Sequence, residues 1–205
     1  SAASDVYKRQ VEFKDRTIEA WTGGRDGKGV IHATRTGYYI YKFIDPNLDL
    51  LQNRTSVHHW VIMRYAEILL SYAEAMNEAY GPTGNVGYRL NAVRALNQVR
   101  NRVGVEMPAV PTAISKEELR EKIRNERRVE LAFEDHRFWD VRRWMIAPET
   151  LGAPLRGVEI TKISDEEFEY KPIEVEKRTF EPKMYLYPIP QADLNTTGWV
   201  QNPLW

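Results

Sequence analysis

Two glutamates, Glu126 and Glu130, form the sharpest catalytic pattern in this sequence. Side chains at positions i and i+4 of a helix lie about 5–6 Å apart at Cβ, and retaining glycosidases hold two carboxyl groups about 5–5.5 Å apart. A general acid also needs a raised pKa, whereas neighbouring arginines lower the pKa of a carboxyl group. We therefore interpret the pair as part of a structural ion-pair network and keep a glycosidase as the alternative.

This network is predicted because both glutamates continue the apolar stripe of a helix. A carboxylate on a buried stripe is strongly unfavourable unless it is paired. Arginines on the same segment and on the preceding helix are the available partners: Arg127, Arg128, Arg137, Arg142, Arg143, Arg100 and Arg102. We assign Arg137 and Arg143 to the network.

Aromatic side chains accumulate in residues 11–60, a segment rich in Gly and Thr without a helical period. Sugars bind by laying apolar C–H faces on aromatic rings while polar groups bond their hydroxyls, and binding residues are frequent on loops. Five rings are therefore candidate ligand contacts: Trp21, Tyr38, Tyr39, Tyr41 and Trp60. The alternative is that strand alternation buries about half of these rings.

Several function classes lack support. Adjacent histidines such as His58 and His59 point apart, and no HExxH motif or acidic cluster accompanies them, so no metal site is predicted. No P-loop, GxSxG or GxGxxG motif is present, and no cofactor is expected. The net charge is zero, which gives no electrostatic footprint for nucleic acid or an anionic membrane. The absence of cysteine excludes disulfides and thiolate metal sites.

The elements that position these residues are mainly helical. Apolar residues at three- and four-residue spacing predict helices over about 61–80, 86–103, 115–134 and 137–147. The first two form an αα-hairpin whose small-residue faces resemble a tetratricopeptide (TPR) unit. Ser115 and Glu118 form a capping box at the start of the third helix. The predicted fold class is mainly α, with TPR-like helical hairpins, irregular loops and minor β elements.

Residues outside the helices are expected to be extended or irregular. Tyr38 to Ile44 is aromatic and β-branched, which predicts a strand. Residues 153–205 are rich in proline and are expected to form an irregular tail. Residues 1–10 resemble a translated sequencing adapter, so we interpret them as a non-native segment and residues 11–205 as one domain of a longer protein.

Six blocks of the chain, in order, resemble the SusD/RagB family. They are GYYIYKF (37–43), RYAEILLSYAEA (64–75), ALNQVRNRVG (95–104), IRNERRVELAFE (123–134), HRFWDVRRW (136–144) and YPIP (187–190) with QNP (201–203). The resemblance implies the C-terminal half of a surface lipoprotein of a Gram-negative outer membrane. Such proteins bind glycans without catalysis, or peptides in some branches, and deliver them to a TonB-dependent transporter. Their lipid anchor would lie outside this sequence. A TPR-like protein-interaction scaffold is a further alternative.

Overall fold

The computed structural model describes residues 12–13, 16–45, 47–49, 52–57 and 59–205. The described chain forms two compact units. The first is built on residues 41–137, and the second on residues 10–40 together with 138–205. Residues 11–205, predicted from the sequence to form one domain, fall into these two units, which are divided after residues 40 and 137. The predicted non-native segment, residues 1–10, lies outside the described residues.

The first unit is helical. Helix α1 (Tyr65–Tyr80) packs against α2 (Ala92–Arg100) and α3 (Lys116–Glu130). The predicted helical hairpin is therefore present, and the fold class, mainly α with TPR-like hairpins, is confirmed. The core contains large aliphatic side chains together with alanines that let helix backbones approach closely. Its fully buried members include Leu70, Ala73, Ala92, Val93, Ala95, Leu96, Val99, Leu119 and Ile123.

Caps at the helix ends explain where the helices differ from expectation. The side chain of Asn91 accepts a hydrogen bond from the backbone N–H of Arg94 at 2.9 Å, so α2 begins at Ala92 and not near residue 86. Helix α2 ends at Arg100, which leaves Val103 97% exposed although the sequence pattern placed it on the apolar face. The capping box of Ser115 and Glu118 is confirmed.

The strand predicted from Tyr38 to Ile44 is wrong. No strand contains these residues, and the backbone N–H of Ile44 instead closes a turn on the carbonyl of Tyr41 at 3.2 Å. Phe43 has a φ of 68°, which is incompatible with a strand. Aromatic and β-branched composition favours a strand only where a second strand is present to pair with it.

The second unit combines short helices with a β-hairpin. Its described elements are β1 (Glu12–Phe13), β2 (Arg16–Thr17), α5 (Ala147–Thr150), β3 (Leu155–Lys162), β4 (Phe168–Glu176), a 3₁₀ turn (Pro182–Tyr185) and α6 (Gln191–Thr197). Helix α4 (His136–Arg143) contains the end of the first unit and the beginning of the second. The helix expected over 137–147 therefore ends early, at Arg143 of α4, and α5 begins at the last residue of the expected range. No helix in the described part of the chain is long and apolar enough to cross a membrane.

The irregular tail predicted over residues 153–205 is wrong for its first half. Strands β3 and β4 pair in antiparallel register, with Val158 opposite Pro172. The N–H of Val158 points away from β4 and donates to the carbonyl of Thr36 at 2.8 Å. Pro172 therefore occupies a position where no ladder hydrogen bond is needed, and the proline does not interrupt the hairpin.

A cluster of aromatic rings surrounds Arg142 of α4. The guanidinium carbon of Arg142 lies 4.1 Å from the ring centroid of Phe138, 5.1 Å from Phe180 and 5.5 Å from Tyr187. Its Nη1 donates to the carbonyl oxygen of Met184 at 2.6 Å. These cation–π contacts join α4 to the C-terminal residues, so Arg142 has a structural role.

Candidate functional site

Arg64, the residue before α1, binds two glutamates at the end of α3. Its Nε donates to Oε2 of Glu134 at 2.7 Å and its Nη2 to Oε1 of Glu134 at 2.9 Å. Nη1 donates to Oε1 of Glu130 at 2.7 Å, and Nη2 also reaches the Glu130 carbonyl at 2.7 Å. Glu134 is only 8% exposed. Two parallel N–H···O bonds between a guanidinium and a carboxylate are among the strongest polar contacts in proteins.

Lys42 completes this arrangement from a distant part of the chain. Its Nζ donates to the carbonyl oxygens of Glu130 at 3.1 Å and Ala132 at 2.8 Å, and to the carboxylate of Glu134. These contacts use all three ammonium hydrogens. The last carbonyls of a helix lack partners within the helix and carry partial negative charge, so a cation stabilises them. Lys42 thereby anchors the loop that contains it to the C-terminal end of α3.

The electrostatics of Glu134 and Arg64 keep both groups charged. Burial alone raises the pKa of Glu134, but hydrogen bonds from Arg64 and Lys42 outweigh it and hold that pKa below its usual value. For Arg64, burial lowers the pKa, while the hydrogen bonds that it donates to Glu134 and Glu130 raise it above the usual value overall. A carboxylate held in this way has no proton to donate as a general acid at neutral pH.

The two glutamates of the catalytic hypothesis are each held by an arginine. Glu126 pairs with Nη1 of Arg100, whose Nε and Nη2 both donate to the carbonyl of Pro108 at 3.0 Å. Oε2 of Glu130 accepts from Nη2 of Arg102 at 2.8 Å. A guanidinium group therefore binds at least one carboxylate oxygen of each glutamate. This geometry favours a structural role for the pair.

The two arginines assigned to the network from the sequence, Arg137 and Arg143, both lie on α4. Arg143 contacts Oδ1 of Asp140 through Nε at 2.9 Å and Nη2 at 2.8 Å. Arg137 is the second residue of α4 and is half-buried. The assignment of these two residues to the network remains a hypothesis.

Three members of the charged cluster were missed by the sequence reasoning: Lys42, Arg64 and Glu134. Glu134 follows Glu130 at the same four-residue spacing that links Glu126 to Glu130, so a signal for it existed. Lys42 lies 92 residues from Glu134 in the chain, and no local pattern connects them.

Three of the candidate ligand-binding rings lie in the second unit and have contacts there. Trp21 is half-buried, with its ring centroid 5.5 Å from that of Phe168. The hydroxyl of Tyr39 donates to the carbonyl of Asp26 at 2.6 Å. Tyr38 is half-buried. The contacts of Trp21 and Tyr39 give these two rings a structural role within their unit.

The other two candidate rings, Tyr41 and Trp60, lie in the first unit and are 52% and 64% exposed. Trp60 lies beside Phe43, which the sequence reasoning did not single out. Their ring centroids are 6.4 Å apart and their planes differ by 24°. Phe43 is 36% exposed.

The described residues contain no group of three or more His, Cys, Asp or Glu side chains placed to hold a metal ion. His59 is exposed in a loop, and His58 lies outside the described residues.

Comparison with known proteins identifies the family. The model of the SusD family matches residues 7–205. The chain belongs to the SusD family. The match includes residues 7–10 of the segment predicted to be non-native.

Two relatives and one solved structure support the membership. SusD-like protein P2 of Formosa agariphila is 34% identical over 120 residues, which are 56% of this chain and 22% of that protein. SusD-like protein P38 of the same organism is 35% identical over 104 residues, which are 48% of this chain and 19% of that protein. The crystal structure of a SusD-like protein from Bacteroides fragilis NCTC 9343 is 36% identical with a TM-score of 0.70, over 84% of this chain and 32% of that one. The chain thus spans about a fifth of the length of the two SusD-like relatives.

Proposed function

We propose that the protein captures glycan at the surface of a Gram-negative outer membrane and delivers it to a TonB-dependent transporter without chemically changing it. Membership of the SusD family supports this assignment. In the longer protein, an N-terminal lipid anchor outside this sequence would supply the membrane attachment.

The exposure of the rings, compared with that of the carboxylates, is the observation that carries the proposal. Tyr41 and Trp60 are more than half exposed, as a sugar-binding surface requires. Glu126 and Glu134 are 8% exposed and bound by arginine. The first unit therefore presents these rings to solvent, whereas Glu126 and Glu134 are buried and paired with arginine, which suits binding and does not suit general acid–base catalysis by these two carboxylates.

Affinity electrophoresis of the longer protein that carries this sequence tests the binding step. The gels contain one polysaccharide each, and migration is compared with that in a gel without polysaccharide. We expect retardation by at least one polysaccharide, whose chain length stays unchanged after overnight incubation with the protein. Unretarded migration in every gel would refute glycan capture.

Delivery to a transporter is tested separately. Solubilised outer membranes are passed over the affinity-tagged protein, and the retained proteins are identified by mass spectrometry. A TonB-dependent transporter should be retained in near-stoichiometric amount. Retention of soluble proteins alone would refute the proposed partner.

A TPR-like protein-interaction scaffold is the second candidate, because the α1–α2 hairpin carries an open groove of about 750 Å³. Its lining combines Tyr65, Ile68, Tyr72 and Tyr88 with the basic side chains of Arg89 and Arg94. Binding of a soluble protein that is lost on substitution of Tyr88, with glycan retardation absent, would favour this function.

A glycosidase using Glu126 and Glu130 remains the enzymatic alternative. Turnover of a chromogenic glycoside that is abolished in Glu126→Gln would support it. The ion pairs of both glutamates lead us to expect no turnover.

A further inference from the structure

We propose that Phe43 and Trp60 form an aromatic platform that binds the apolar face of a neutral hexopyranose. This inference rests on the proposed glycan capture and adds to it the position of one sugar subsite and the chemical class of sugar that it accepts. Phe43 is a contact that the sequence pattern did not indicate.

The geometry of the two rings suits a sugar. Their planes are within 24° of parallel, and their centroids are 6.4 Å apart, so the rings are offset and neither covers the whole face of the other. Trp60 remains 64% exposed and Phe43 36% exposed. An exposed aromatic surface of this kind matches the axial C–H face of a pyranose whose hydroxyl groups are mainly equatorial.

The backbone at Phe43 indicates that the ring is held in place. Its φ of 68° lies in the left-handed region, which a bulky side chain adopts only when the surrounding structure imposes it. The preceding residue, Lys42, is fastened to the end of α3 by three hydrogen bonds. Lys42 is therefore a positioning residue that fixes the loop from which the Phe43 ring projects.

The same contacts argue for a neutral sugar. The Nζ of Lys42 lies 5.4 Å from the centroid of the Phe43 ring. All three of its hydrogens are donated to Glu130, Ala132 and Glu134, so none is available to a sulfate or a uronate carboxylate. The carboxylate of Glu134, which Arg64 also binds, lies against the Lys42 ammonium group. Lys42, the cation that contacts the Phe43 ring, therefore has no hydrogen left to donate to an anionic sugar.

The test uses the longer protein and three alanine variants in affinity gels. Neutral gels contain xyloglucan, laminarin, galactomannan or soluble starch, and acidic gels contain polygalacturonate or carrageenan. The variants are Trp60→Ala, Phe43→Ala and the matched control Trp199→Ala. Trp199 is also 64% exposed but lies in the other unit. Circular dichroism confirms that each variant is folded.

The expected result is retardation by a neutral polysaccharide, with an affinity that falls about tenfold or more in Trp60→Ala and is unchanged in Trp199→Ala. Phe43→Ala should weaken binding in the same direction, whereas Phe43→Tyr should retain it because the ring is preserved. Wild-type retardation that both alanine variants retain would overturn the platform and leave glycan capture standing. Retardation by acidic polymers alone would overturn the neutral class. A wild-type protein that no polymer retards would overturn the platform together with the proposed function.

Discussion

Replacement of Arg64 by methionine tests the charged cluster at the end of α3. The variant keeps the length of the side chain and loses four hydrogen bonds to Glu130 and Glu134. Breaking a buried ion pair by removing one partner costs about 3–5 kcal/mol. In the variant, Glu134 is still paired with Lys42 and Glu130 with Arg102. We therefore expect a loss in the free energy of unfolding at the lower end of this range, about 3 kcal/mol. For a chain of this size the melting temperature should fall by about 6–12 °C.

The matched control is Arg120→Met. Arg120 also makes two hydrogen bonds to one glutamate, Glu78, at 2.6 and 2.7 Å. The side chain of Arg120 is as exposed as that of Arg64, 29% against 28%, but the side chain of Glu78 is 42% exposed whereas that of Glu134 is 3% exposed. An exposed pair contributes less than about 1 kcal/mol. Urea unfolding followed by circular dichroism gives the free energy of unfolding of both variants. Equal losses of free energy of unfolding in the two variants, or a loss below about 1 kcal/mol in Arg64→Met, would show that burial does not strengthen the ion pairs of the cluster.

Three further predictions concern stability. Because the pKa of Glu134 is depressed in the folded state, its contribution to the free energy of unfolding is complete above the unfolded-state pKa near 4.5 and is lost as the pH falls through the folded-state pKa. The urea concentration at the unfolding midpoint should therefore drop steeply below about pH 4.5. A midpoint that does not change with pH in this range would contradict the depressed pKa of Glu134. Glu126→Leu should lower the free energy of unfolding by about 3 kcal/mol, because it leaves a largely buried guanidinium unpaired; an unchanged melting temperature would mean that Glu126 is solvated. A Cβ on Gly37 would lie 2.2 Å from the carbonyl oxygen of Val158, so Gly37→Ala should cost about 1–3 kcal/mol. It should cost clearly more than Gly198→Ala, which has a similar φ and open space around it.

Local signals in the sequence predicted much of the helical unit. The spacing of apolar residues located α1, α2 and α3, and the capping box at Ser115 is visible in four consecutive residues. The β3–β4 hairpin was missed although apolar and polar residues alternate on each side of Pro172 in β4. Pro172 was the misleading signal, because proline is compatible with a strand where its missing N–H would not face the partner strand.

Long-range contacts limited the prediction of the site. The pairing of Lys42 with Glu134 joins residues 92 positions apart and has no local pattern. The strand expected around Phe43 failed for the same reason, since that anchoring imposes a turn with a positive φ on a sequence that otherwise favours extended backbone. The proximity of Phe43 to Trp60 could be read only from the structure.

The most direct test of glycan capture without catalysis is one titration with product analysis. The longer protein is titrated calorimetrically with the neutral polysaccharide that retards it most in gels, and the polysaccharide is recovered afterwards for sizing by chromatography. The account predicts saturable binding that Trp60→Ala weakens about tenfold or more, with an unchanged chain-length distribution. Shortened polysaccharide chains would contradict capture without catalysis. Binding that Trp60→Ala leaves unaltered, together with turnover that depends on Glu126, would also contradict it.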